Sequence, residues 1–482
     1  MTAEAHRDHG IHPNLILGVT ALAGLAYSVL SSAVIPALPS IQHSLGATET
    51  GVTWLLTGYL LSASVATSII GRLGDMYGKE RLLLITLGIL ALGTVVSALS
   101  TSLGPMVAGR IIQGAGGGIF PLAFGIVRDE FPRDRVAGSI GILSSILGVG
   151  GGIGIVLGGL IVEHLNYHWL YWIPLVVTVA AAFCTWRFVP ESPVRVPGRV
   201  NWLAAVLMTA GFCCMLIAIS ETITWGWGSP KTLGLLAAGV ALTTAWVLVE
   251  LRSEVPLIDM AMMRIRGVWT TNLVAFLLGA GMYASFLILP QFAQLPKSTG
   301  FGFGASVVVA GLYLLPAAVA MSALGSVAGR VARRWGSKNA VIAGSGVTSL
   351  AFFVLAVAHG HPYDMLISAG LMGVGIGLAF AALGNLIVQA VPPEQTGAAT
   401  GMNTVMRTLG GALGGQIVAT LIADNVTGGL PNVTGFTQAL LLQAGFLVVA
   451  MFAGTLIPAR ASRSPIGVEQ PDGAPAAMQK VG

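Results

Sequence analysis

The sequence GRLGDMYGK, residues 71–79, follows the second long apolar run of the chain, and GRVARRWGSK, residues 329–338, follows the tenth. Both stretches read Gly-Arg, five residues and Gly, and each then has Lys either immediately or one residue later. Short basic loops are common between membrane helices, but two copies at matching places are not explained by chance. Their offset of eight runs predicts two six-helix halves with two helices inserted between them.

The composition of the 482 residues indicates a protein that lies in a lipid bilayer. Charged residues make up 9% of the chain, against roughly 25% in soluble domains. Apolar residues make up 55%, and the mean hydropathy is +0.83. So few charges cannot keep the surface of a soluble protein hydrated. We therefore predict an all-α integral membrane protein with fourteen transmembrane helices, in which two six-helix bundles are related by pseudo-two-fold symmetry and two helices are inserted between them.

Fourteen apolar runs are long enough to cross a bilayer. They are centred near residues 25, 60, 91, 115, 150, 178, 210, 240, 280, 317, 349, 377, 410 and 446. Of the 24 Lys and Arg residues, Arg110 and Arg407 fall inside runs, Lys231 and Lys297 fall on one side, and the other 20 fall on the opposite side or in the tails. Because Lys and Arg concentrate in cytoplasmic loops, we predict a multi-pass protein of the cytoplasmic (inner) cell membrane with both termini cytoplasmic.

The domain boundaries are predicted from these runs. Residues 1–14 are interpreted as a cytoplasmic tail, and the stretch 458–482, rich in Pro, Gly and polar residues, as a disordered cytoplasmic tail. Between them we place an N-terminal six-helix bundle at 15–190, a linker with the two inserted helices at 191–266, and a C-terminal six-helix bundle at 267–457.

Several classes of function lack their sequence signals. No stretch matches the phosphate-binding loop G-x-x-x-x-G-K-[ST] of a nucleotide-driven pump. The short outer loops show no polar cluster of the kind that a membrane enzyme needs. Cys184, Cys213 and Cys214 lie in apolar runs without metal-ligand spacing, so we expect no metal and no cofactor. A transporter with its substrate site between two halves is the leading interpretation, and a membrane-embedded enzyme or a channel is the alternative from another class.

Four motifs resemble those of a known family. The stretch 71–81 looks like the loop motif between helices two and three of the major facilitator superfamily, and RIIQG, residues 110–114, looks like the fourth-helix motif of its proton-coupled members. WLLTGYLLSAS (54–64) and WGWGSPKTLG (225–234) are similar to the fourteen-helix drug/proton antiporters. The resemblance implies a secondary transporter that exports small molecules by alternating access in exchange for protons.

The loop after the second run is a candidate gate, a role that the resemblance implies. A carboxylate at Asp75 can cap a neighbouring helix terminus and pair with a cation. Such contacts exist only while the two halves are closed on the inside, so we predict that they act as a conformational latch. The alternative is a solvated orientation signal. The predicted gating residues are Gly71, Arg72, Asp75, Gly78, Lys79 and Arg81.

Arg110 lies inside the fourth run, with Gln113 and Gly114 following it. A buried arginine is costly in a bilayer and usually faces a cavity or a partner. The resemblance implies that these three residues serve proton coupling, and the alternative is a structural cation. Many family members carry an acidic residue in the first helix, where this chain has Leu-Ser-Ser at 30–32. No carboxylate lies deep in any run, so the sequence does not identify the proton carrier.

The charges that lie deep in the runs, Arg110 and Arg407, are both positive. This balance disfavours lipophilic cations, so we expect small, largely apolar substrates that are neutral or anionic. Each residue chosen for the cavity wall could instead form an interhelical hydrogen bond. The predicted wall consists of the polar and aromatic residues Tyr59, Gln113, Asn272, Tyr283, Tyr313, Asn385 and Arg407.

The fifth run, LGVGGGIGIVLGGLIV (147–162), has seven glycines in twelve residues. It does not fit the nucleotide-binding pattern G-x-G-x-x-G. Gly150, Gly154 and Gly158 recur every four residues and predict a smooth stripe for close packing against a neighbouring helix. With Gly159 they resemble the fifth-helix motif of the antiporters, except that Ile155 stands where that motif has proline.

These observations favour a proton-coupled exporter of drugs or metabolites, of the kind associated with multidrug efflux and antibiotic resistance. An exporter of an endogenous lipid or secondary metabolite, or an importer of the same fold, stays open. The expected partners are a small-molecule substrate, protons and the lipid bilayer, with no nucleic acid, and the expected state is a monomer.

Overall fold

The structure is a computed structural model that describes residues 12–47, 49–192, 201–254, 256, 258–299, 301–427 and 430–458. It confirms the predicted all-α membrane fold. Most of both predicted tails lies outside the described residues. The helices of the N-terminal part are α1 (Pro13–Ala33), α2 (Leu38–Leu45), α3 (Glu49–Tyr77), α4 (Lys79–Leu99), α5 (Leu103–Gln113), α6 (Ile119–Glu130), α7 (Arg133–His164) and α8 (Trp169–Phe188). A 3-10 turn, Gly114–Gly118, joins α5 to α6.

The remaining helices form the inserted segment and the C-terminal part. The inserted segment carries α9 (Trp202–Ser220), α10 (Thr222–Trp225), α11 (Pro230–Arg252) and α12 (Met260–Arg264). The C-terminal part carries α13 (Arg266–Met282), α14 (Ser285–Gln294), α15 (Val307–Leu312), α16 (Leu315–Trp335), α17 (Ser337–Val357), α18 (Pro362–Ala390), α19 (Thr396–Asp424) and α20 (Val433–Gly454). Two short antiparallel strands, β1 (Val426–Thr427) and β2 (Leu430–Pro431), lie between α19 and α20.

Thirteen helices in the described part of the chain are long and apolar enough to cross a membrane. The predicted run near residue 280 is the one that this count leaves out, and there the structure has α13, of 17 residues, and α14, of 10 residues. Tyr283 and Ala284 separate the two pieces. At 1.5 Å per residue the two helices together are long enough for one further crossing.

The internal repeat predicted from the basic loops is also present in the helix packing. A Cβ added at Gly93 of α4 would lie 2.7 Å from the carbonyl oxygen of Gly109 on α5. In the C-terminal part, a Cβ added at Gly344 of α17 would lie 2.5 Å from the carbonyl oxygen of Gly375 on α18. The α4–α5 contact therefore recurs as the α17–α18 contact, which supports a pseudo-two-fold relation between the halves.

Helix α7 is continuous and uses glycine on two faces. Gly150, Gly154 and Gly158 approach α1, where Cβ atoms added at these positions would collide with Ser28, Ser32 and Ala33 respectively. Gly159 is buried as well. On the other face, Cβ atoms added at Gly148 and Gly152 would meet Met321 and Ala318 of α16. The predicted stripe thus packs within one half, and a second glycine face packs against the other half.

The inserted helices α9 and α11 pack on each other and lie beside the seam between α3 and α19. The rings of Phe212 and Trp246 join the pair with centroids 5.9 Å apart. Beyond α10, Trp227 Nε1 donates a hydrogen bond of 3.2 Å to Thr420 Oγ1 on α19. The apolar side chains form two cores, one mainly from α1–α8 with the inserted pair and one mainly from α13–α20.

Candidate functional site

The candidate gate lies where α3 meets α4. Asp75 is in the last helical turn of α3, and Gly78 alone links α3 to α4, so the predicted loop is shorter than expected. Gly78 has φ +111°, a left-handed conformation that favours glycine. A Cβ added there would also press on the carboxylate of Glu191, which accepts hydrogen bonds of 3.3 Å from the N–H groups of Glu80 and Arg81. Glu191 therefore caps the start of α4.

Asp75 joins the two halves of the molecule. Its Oδ1 accepts a hydrogen bond of 3.2 Å from the N–H of Gly397, and its Oδ2 accepts one of 3.1 Å from the N–H of Ala398. These N–H groups belong to the first turn of α19, where a helix has unpaired donors and a positive dipole end. Gly71 and Gly397 touch backbone to backbone, and a Cβ at either would collide with the carbonyl oxygen of the other. We call the contact of Gly71 and Asp75 with Gly397 and Ala398 the latch.

A buried lysine lies beside the Asp75 carboxylate of the latch. Lys79 Nζ lies 2.6 Å from Asp129 Oδ2 and 3.8 Å from Asp75 Oδ1, and the Lys79 side chain is 1% exposed. Ser192 Oγ donates to the same oxygen of Asp129. A Cβ added at Gly125 would lie 2.6 Å from the Lys79 stem, so glycine at that position leaves room for the lysine. The ammonium is thereby held between two carboxylates.

Arg128 makes a second connection between the halves, and the sequence interpretation missed it. Its Nη2 donates to the carbonyl oxygen of Val391 at 2.8 Å, and its Nη1 donates to the carbonyl oxygen of Pro392 at 3.3 Å and to Thr396 Oγ1. A basic residue in the last turn of the fourth span was the available signal. The turns at Gly78, 131–132 and 391–395 thus meet at one end of the bundle, which we call the basic face.

The segment Ile258–Arg264, which we call the strap, crosses the basic face after the inserted helices. Asp259 Oδ2 accepts a hydrogen bond of 3.1 Å from Gln395 Nε2 of the C-terminal half. Just before the strap, the carbonyl oxygen of Pro256 accepts a bond of 3.5 Å from Arg72 of the N-terminal half. Ile258 and Met262 are buried. Of the remaining predicted gating residues, Arg81 has an exposed side chain.

Arg110 is completely buried in the last turn of α5 and contacts two other helices of the N-terminal half, α1 and α3. Its Nε donates to the carbonyl oxygen of Leu55 at 2.9 Å, and its Nη1 donates to the carbonyl oxygen of Leu30 at 3.3 Å. Nη1 also donates to Gln113 Oε1 at 2.9 Å, and the guanidinium stacks 4.2 Å from the ring centroid of Tyr59. Leu30, in the Leu-Ser-Ser stretch at 30–32, thus offers Arg110 a backbone carbonyl oxygen.

Two further predicted residues complete the Arg110 surroundings. Gln113 Nε2 donates to Ser97 Oγ at 3.3 Å, which anchors α5 to α4. Gly114 begins the 3-10 turn, and a Cβ there would collide with Ser62 Oγ on α3. The Tyr59 ring also lies 6.0 Å from the ring of Tyr27 on α1. The structure therefore brings Tyr59, Gln113 and Gly114 together around Arg110.

The other predicted cavity residues are dispersed. Asn272 Oδ1 accepts a bond of 2.9 Å from Asn403 Nδ2, between α13 and α19. Asn385 Nδ2 donates to the carbonyl oxygen of Ala137 at 3.1 Å, from α18 to α7. The ring of Tyr283 packs on Gly411, and that of Tyr313 lies 5.9 Å from the ring of Phe303. The two asparagines thus form interhelical hydrogen bonds, the alternative that the sequence left open.

A cavity lies between the halves, on the membrane side of the latch. Arg407 is the predicted cavity residue that lines it. The guanidinium of Arg407 stacks 4.5 Å from the ring centroid of Phe380, and its Nε is buried without a hydrogen-bond partner. The other lining residues are Phe120, Phe124, Ser144, Leu147, Phe380, Gly384, Ile387, Thr400, Asn403 and Thr404.

Within the described part of the chain, no group of three or more His, Cys, Asp or Glu residues could hold a metal ion. The three cysteines are free thiols. The candidate site consists of the latch, the surroundings of Arg110 and the cavity between the halves.

A family model described as the Major Facilitator Superfamily matches residues 19–415 and 271–476. A tetracenomycin C resistance and export protein of Streptomyces glaucescens is 28% identical over 85% of this chain and 76% of its own length. Multidrug resistance protein 3 of Bacillus subtilis is 25% identical over 80% and 74%. A cephamycin export protein of Amycolatopsis lactamdurans is 28% identical over 91% of both chains.

Two solved structures share the fold. The human organic anion transporter MFSD10 superposes with a TM-score of 0.66 at 16% identity, covering 92% of this chain and 99% of its own. A proton:xylose symporter superposes with a TM-score of 0.65 at 14% identity, covering 92% and 96%. At these identities the likeness concerns the fold.

Proposed function

The chain belongs to the major facilitator superfamily of membrane transporters, and from that premise we propose that it exports small, largely apolar molecules by alternating access in exchange for protons. The observation that carries the proposal is the latch. A carboxylate of one half accepts hydrogen bonds from the helix terminus of the other, at one end of the bundle. Alternating access needs a contact that forms in one conformation and breaks in the other, and we assign this role to the latch.

The direction of transport rests on the sidedness of the basic face. Lys and Arg residues concentrate on cytoplasmic loops of membrane proteins, and the basic face carries Arg72, Lys79, Arg81 and Arg128. We therefore assign the basic face to the cytoplasm, which places both termini there. Because the latch contacts are formed in the structure, we propose that it has the cytoplasmic gate closed. Three relatives whose names include export or resistance favour release to the outside.

Proton exchange is the proposed driving reaction. Asp75 is a carboxylate at 1% exposure on the seam between the halves. Protonation would convert one of its acceptor oxygens into a hydroxyl donor, and this would weaken its bonds to the N–H groups of Gly397 and Ala398. Arg110, in the fourth-helix motif, would respond to protonation through the charge that it carries among α1, α3 and α5. Gln113 and Gly114 hold that charge in place.

The substrate is proposed to be neutral or anionic. The deep charges Arg110 and Arg407 are positive, and the residues that line the cavity include no carboxylate. A metabolite made by the producing cell is a specific second candidate, because two relatives are named for the export of tetracenomycin C and of cephamycin. The inserted pair beside the α3–α19 seam supports assignment to the fourteen-helix branch, with a single chain as the working unit.

The proposal is tested in inverted membrane vesicles with an imposed pH gradient. Cationic, neutral and anionic aromatic compounds are added in turn, and the gradient is followed with a fluorescent pH probe. We expect neutral or anionic compounds to dissipate the gradient and quaternary ammonium compounds not to do so. Vesicles without the transporter are the control. A gradient that no compound dissipates would contradict proton exchange, and a preference for quaternary ammonium compounds would contradict the proposed substrate charge.

A further inference from the structure

We infer that the cavity between the halves selects aromatic compounds that carry one acidic group, and that Arg407 binds the anion of that group. The inference rests on the proposed transport function and deepens it by naming the substrate class. It follows from the two unlike walls of the cavity and from the state of the Arg407 guanidinium.

One wall of the cavity is a polar stripe on α19. Thr400, Asn403, Thr404 and Arg407 are spaced by three or four residues, so they share one face of the helix. Both N–H groups of the Asn403 amide have partners, because Nδ2 donates to Asn272 Oδ1 and to the carbonyl oxygen of Thr271. The Asn403 carbonyl oxygen is thus its remaining hydrogen-bonding atom. The stripe offers hydroxyl and carbonyl groups along its length and a cation at its end deepest in the bundle.

The opposite wall is aromatic. Phe120 and Phe124 lie one helical turn apart on α6 with ring centroids 6.2 Å apart. Phe380 of α18 also lines the cavity, and its ring stacks on Arg407. Aromatic rings pack well on one another in offset or edge-to-face arrangements. The cavity measures about 20 Å³ in this conformation, so an aromatic ligand would enter when the two halves move apart. It would then place an aromatic face on the α6 rings and its polar edge on α19.

Arg407 gives the polar edge its charge. The guanidinium stacks on the Phe380 ring, which occupies one of its faces, and the N–H groups of a guanidinium lie in its plane. Nε is buried without a hydrogen-bond partner. A planar fork of donors with no carboxylate among the lining residues matches a carboxylate, which binds such a fork through two parallel hydrogen bonds.

Arg110 does not serve as the anion site in this arrangement. It is fully buried, and its Nε and Nη1 are bonded to oxygen atoms of the N-terminal half. Its Nη2 is buried without a hydrogen-bond partner, as the Nε of Arg407 is, but Arg110 does not line the cavity. The two deep arginines are therefore distinguished by position: one is within a half, and the other is on the wall that faces the partner half.

The test compares anthracene-2-carboxylate with its methyl ester, a matched pair that shares the aromatic body and differs in charge. Binding to the purified full-length protein is measured by ligand fluorescence at constant salt. We expect the acid to bind about tenfold or more tightly than the ester, in line with hydrogen bonds to a charged group. Arg407→Gln should remove that preference and leave ester binding within twofold of wild type, and Arg407→Lys should retain part of it.

The matched control is Arg187→Gln. Arg187 also stacks on a phenylalanine, Phe188 at 5.4 Å, but it is exposed at the end of α8. This variant should keep the full preference for the acid. Equal binding of acid and ester by the wild type would overturn the inference even if Arg407→Gln failed to fold. So would an equal loss of both ligands in Arg407→Gln, or loss of the preference in Arg110→Gln with its retention in Arg407→Gln.

The outcome is separable from that of the proposed function, because the binding measurement uses no pH gradient. Gradient-driven transport of the ester, together with equal binding of acid and ester, would contradict the anion site and agree with proton-coupled export. A preference for the acid that Arg407 controls, with no gradient dissipated by either compound, would leave the anion site standing and reject proton exchange.

Discussion

At the scale of single residues, one carboxylate makes both hydrogen bonds of the latch. Asp75 accepts from two N–H groups that α19 cannot pair within itself, and it lies beside the ammonium of Lys79. Each hydrogen bond to a charged group contributes about 1.5–3 kcal/mol when it is buried. We therefore expect removal of the Asp75 charge to change the population of the closed state of the proposed gate.

We predict that Asp75→Asn opens the cytoplasmic gate. The asparagine keeps one acceptor oxygen but presents an N–H₂ group toward a backbone donor, so about 2 kcal/mol of latch stabilisation is lost. The measurement is labelling of a cysteine placed at Ser144, in the cavity, by an impermeant maleimide added from the cytoplasmic side, with the three native cysteines replaced by alanine. Labelling should become roughly tenfold faster or more.

Asp364→Asn is the control for that experiment. Asp364 also caps a helix, accepting from the N–H of His361 at 2.9 Å, but it does so within the C-terminal half. This change should leave the labelling rate at the wild-type level. If Asp75→Asn and Asp364→Asn gave the same rate as the parent protein, the contact of Asp75 with α19 would not be a gate.

We predict that substitution of Arg110 uncouples substrate transport from the proton gradient. Arg110→Ala leaves the carbonyl oxygens of Leu30 and Leu55 without their donor and removes the buried charge, so gradient-driven transport should be abolished. Arg110→Lys keeps the charge but has no planar fork to bind both helices, so transport should fall by roughly tenfold or more. Transport is measured in vesicles, and gel filtration verifies folding. Wild-type coupling in a well-folded Arg110→Ala protein would assign Arg110 to packing alone.

At the scale of helices, α7 is the element on which both halves depend. One glycine face packs on α1 within its own half, and the other packs on α16 of the partner half. The first face was predictable, because Gly150, Gly154 and Gly158 repeat every four residues. The second was not, since Gly148 and Gly152 follow the same spacing and the sequence does not say which helix each stripe meets.

The same substitution at two positions of α7 tests the packing of the first stripe. A Cβ at Gly154 would collide with Ser32 Oγ and lie 2.6 Å from the carbonyl oxygen of Val29, whereas a Cβ at Gly151 would meet nothing within 4 Å. Gly154→Ala should therefore destabilise the protein by about 1–3 kcal/mol. Gly151→Ala should not lower stability. The measurement is the unfolding midpoint of each variant in detergent solution. Equal midpoints for the two variants would contradict close packing on α1.

Polar residues within helices show the limit of sequence interpretation at this scale. Asn272 and Asn385 were predicted to line the cavity, but they bond to Asn403 and to the carbonyl oxygen of Ala137. A polar side chain in a span needs a partner, and the residue type alone does not tell whether that partner is a ligand or another helix. Arg407 differs because it is a cation whose Nε has no hydrogen-bond partner.

At the scale of the whole molecule, the repeated basic loops predicted the two halves, and the two glycine contacts of α4–α5 and α17–α18 agree with them. Apart from the contact of Asp75, the connections across the halves could not be predicted. Arg128 bonds to residues more than 260 positions away, and Asp259 meets Gln395 through the path of the strap. Such pairs depend on how two complete bundles are placed, which no local pattern in the chain encodes.

Single-cysteine labelling tests the orientation of the molecule. In a protein without native cysteines, Arg81→Cys and Arg252→Cys should react with an impermeant reagent from the cytoplasmic side, and Lys231→Cys should react from the outside. The three positions are exposed, and helices α3, α4 and α11 set their sides. Reaction of Lys231→Cys and Arg81→Cys from the same side would show that the number of crossings between them is not as assigned.

The repeated glycine contact also shows where the two halves differ. When Gly109 is aligned with Gly375, Ile376 stands at the position of Arg110 and Ala379 at that of Gln113. At these positions the C-terminal half therefore has no counterpart of the buried arginine and its glutamine partner. The arginine on the cavity wall, by contrast, belongs to the C-terminal half. Proton coupling would then depend on the N-terminal half, and substrate recognition would depend on the C-terminal half. A hybrid that joins this N-terminal half to the C-terminal half of a related exporter should keep its dependence on the proton gradient and acquire the other protein's range of cargo.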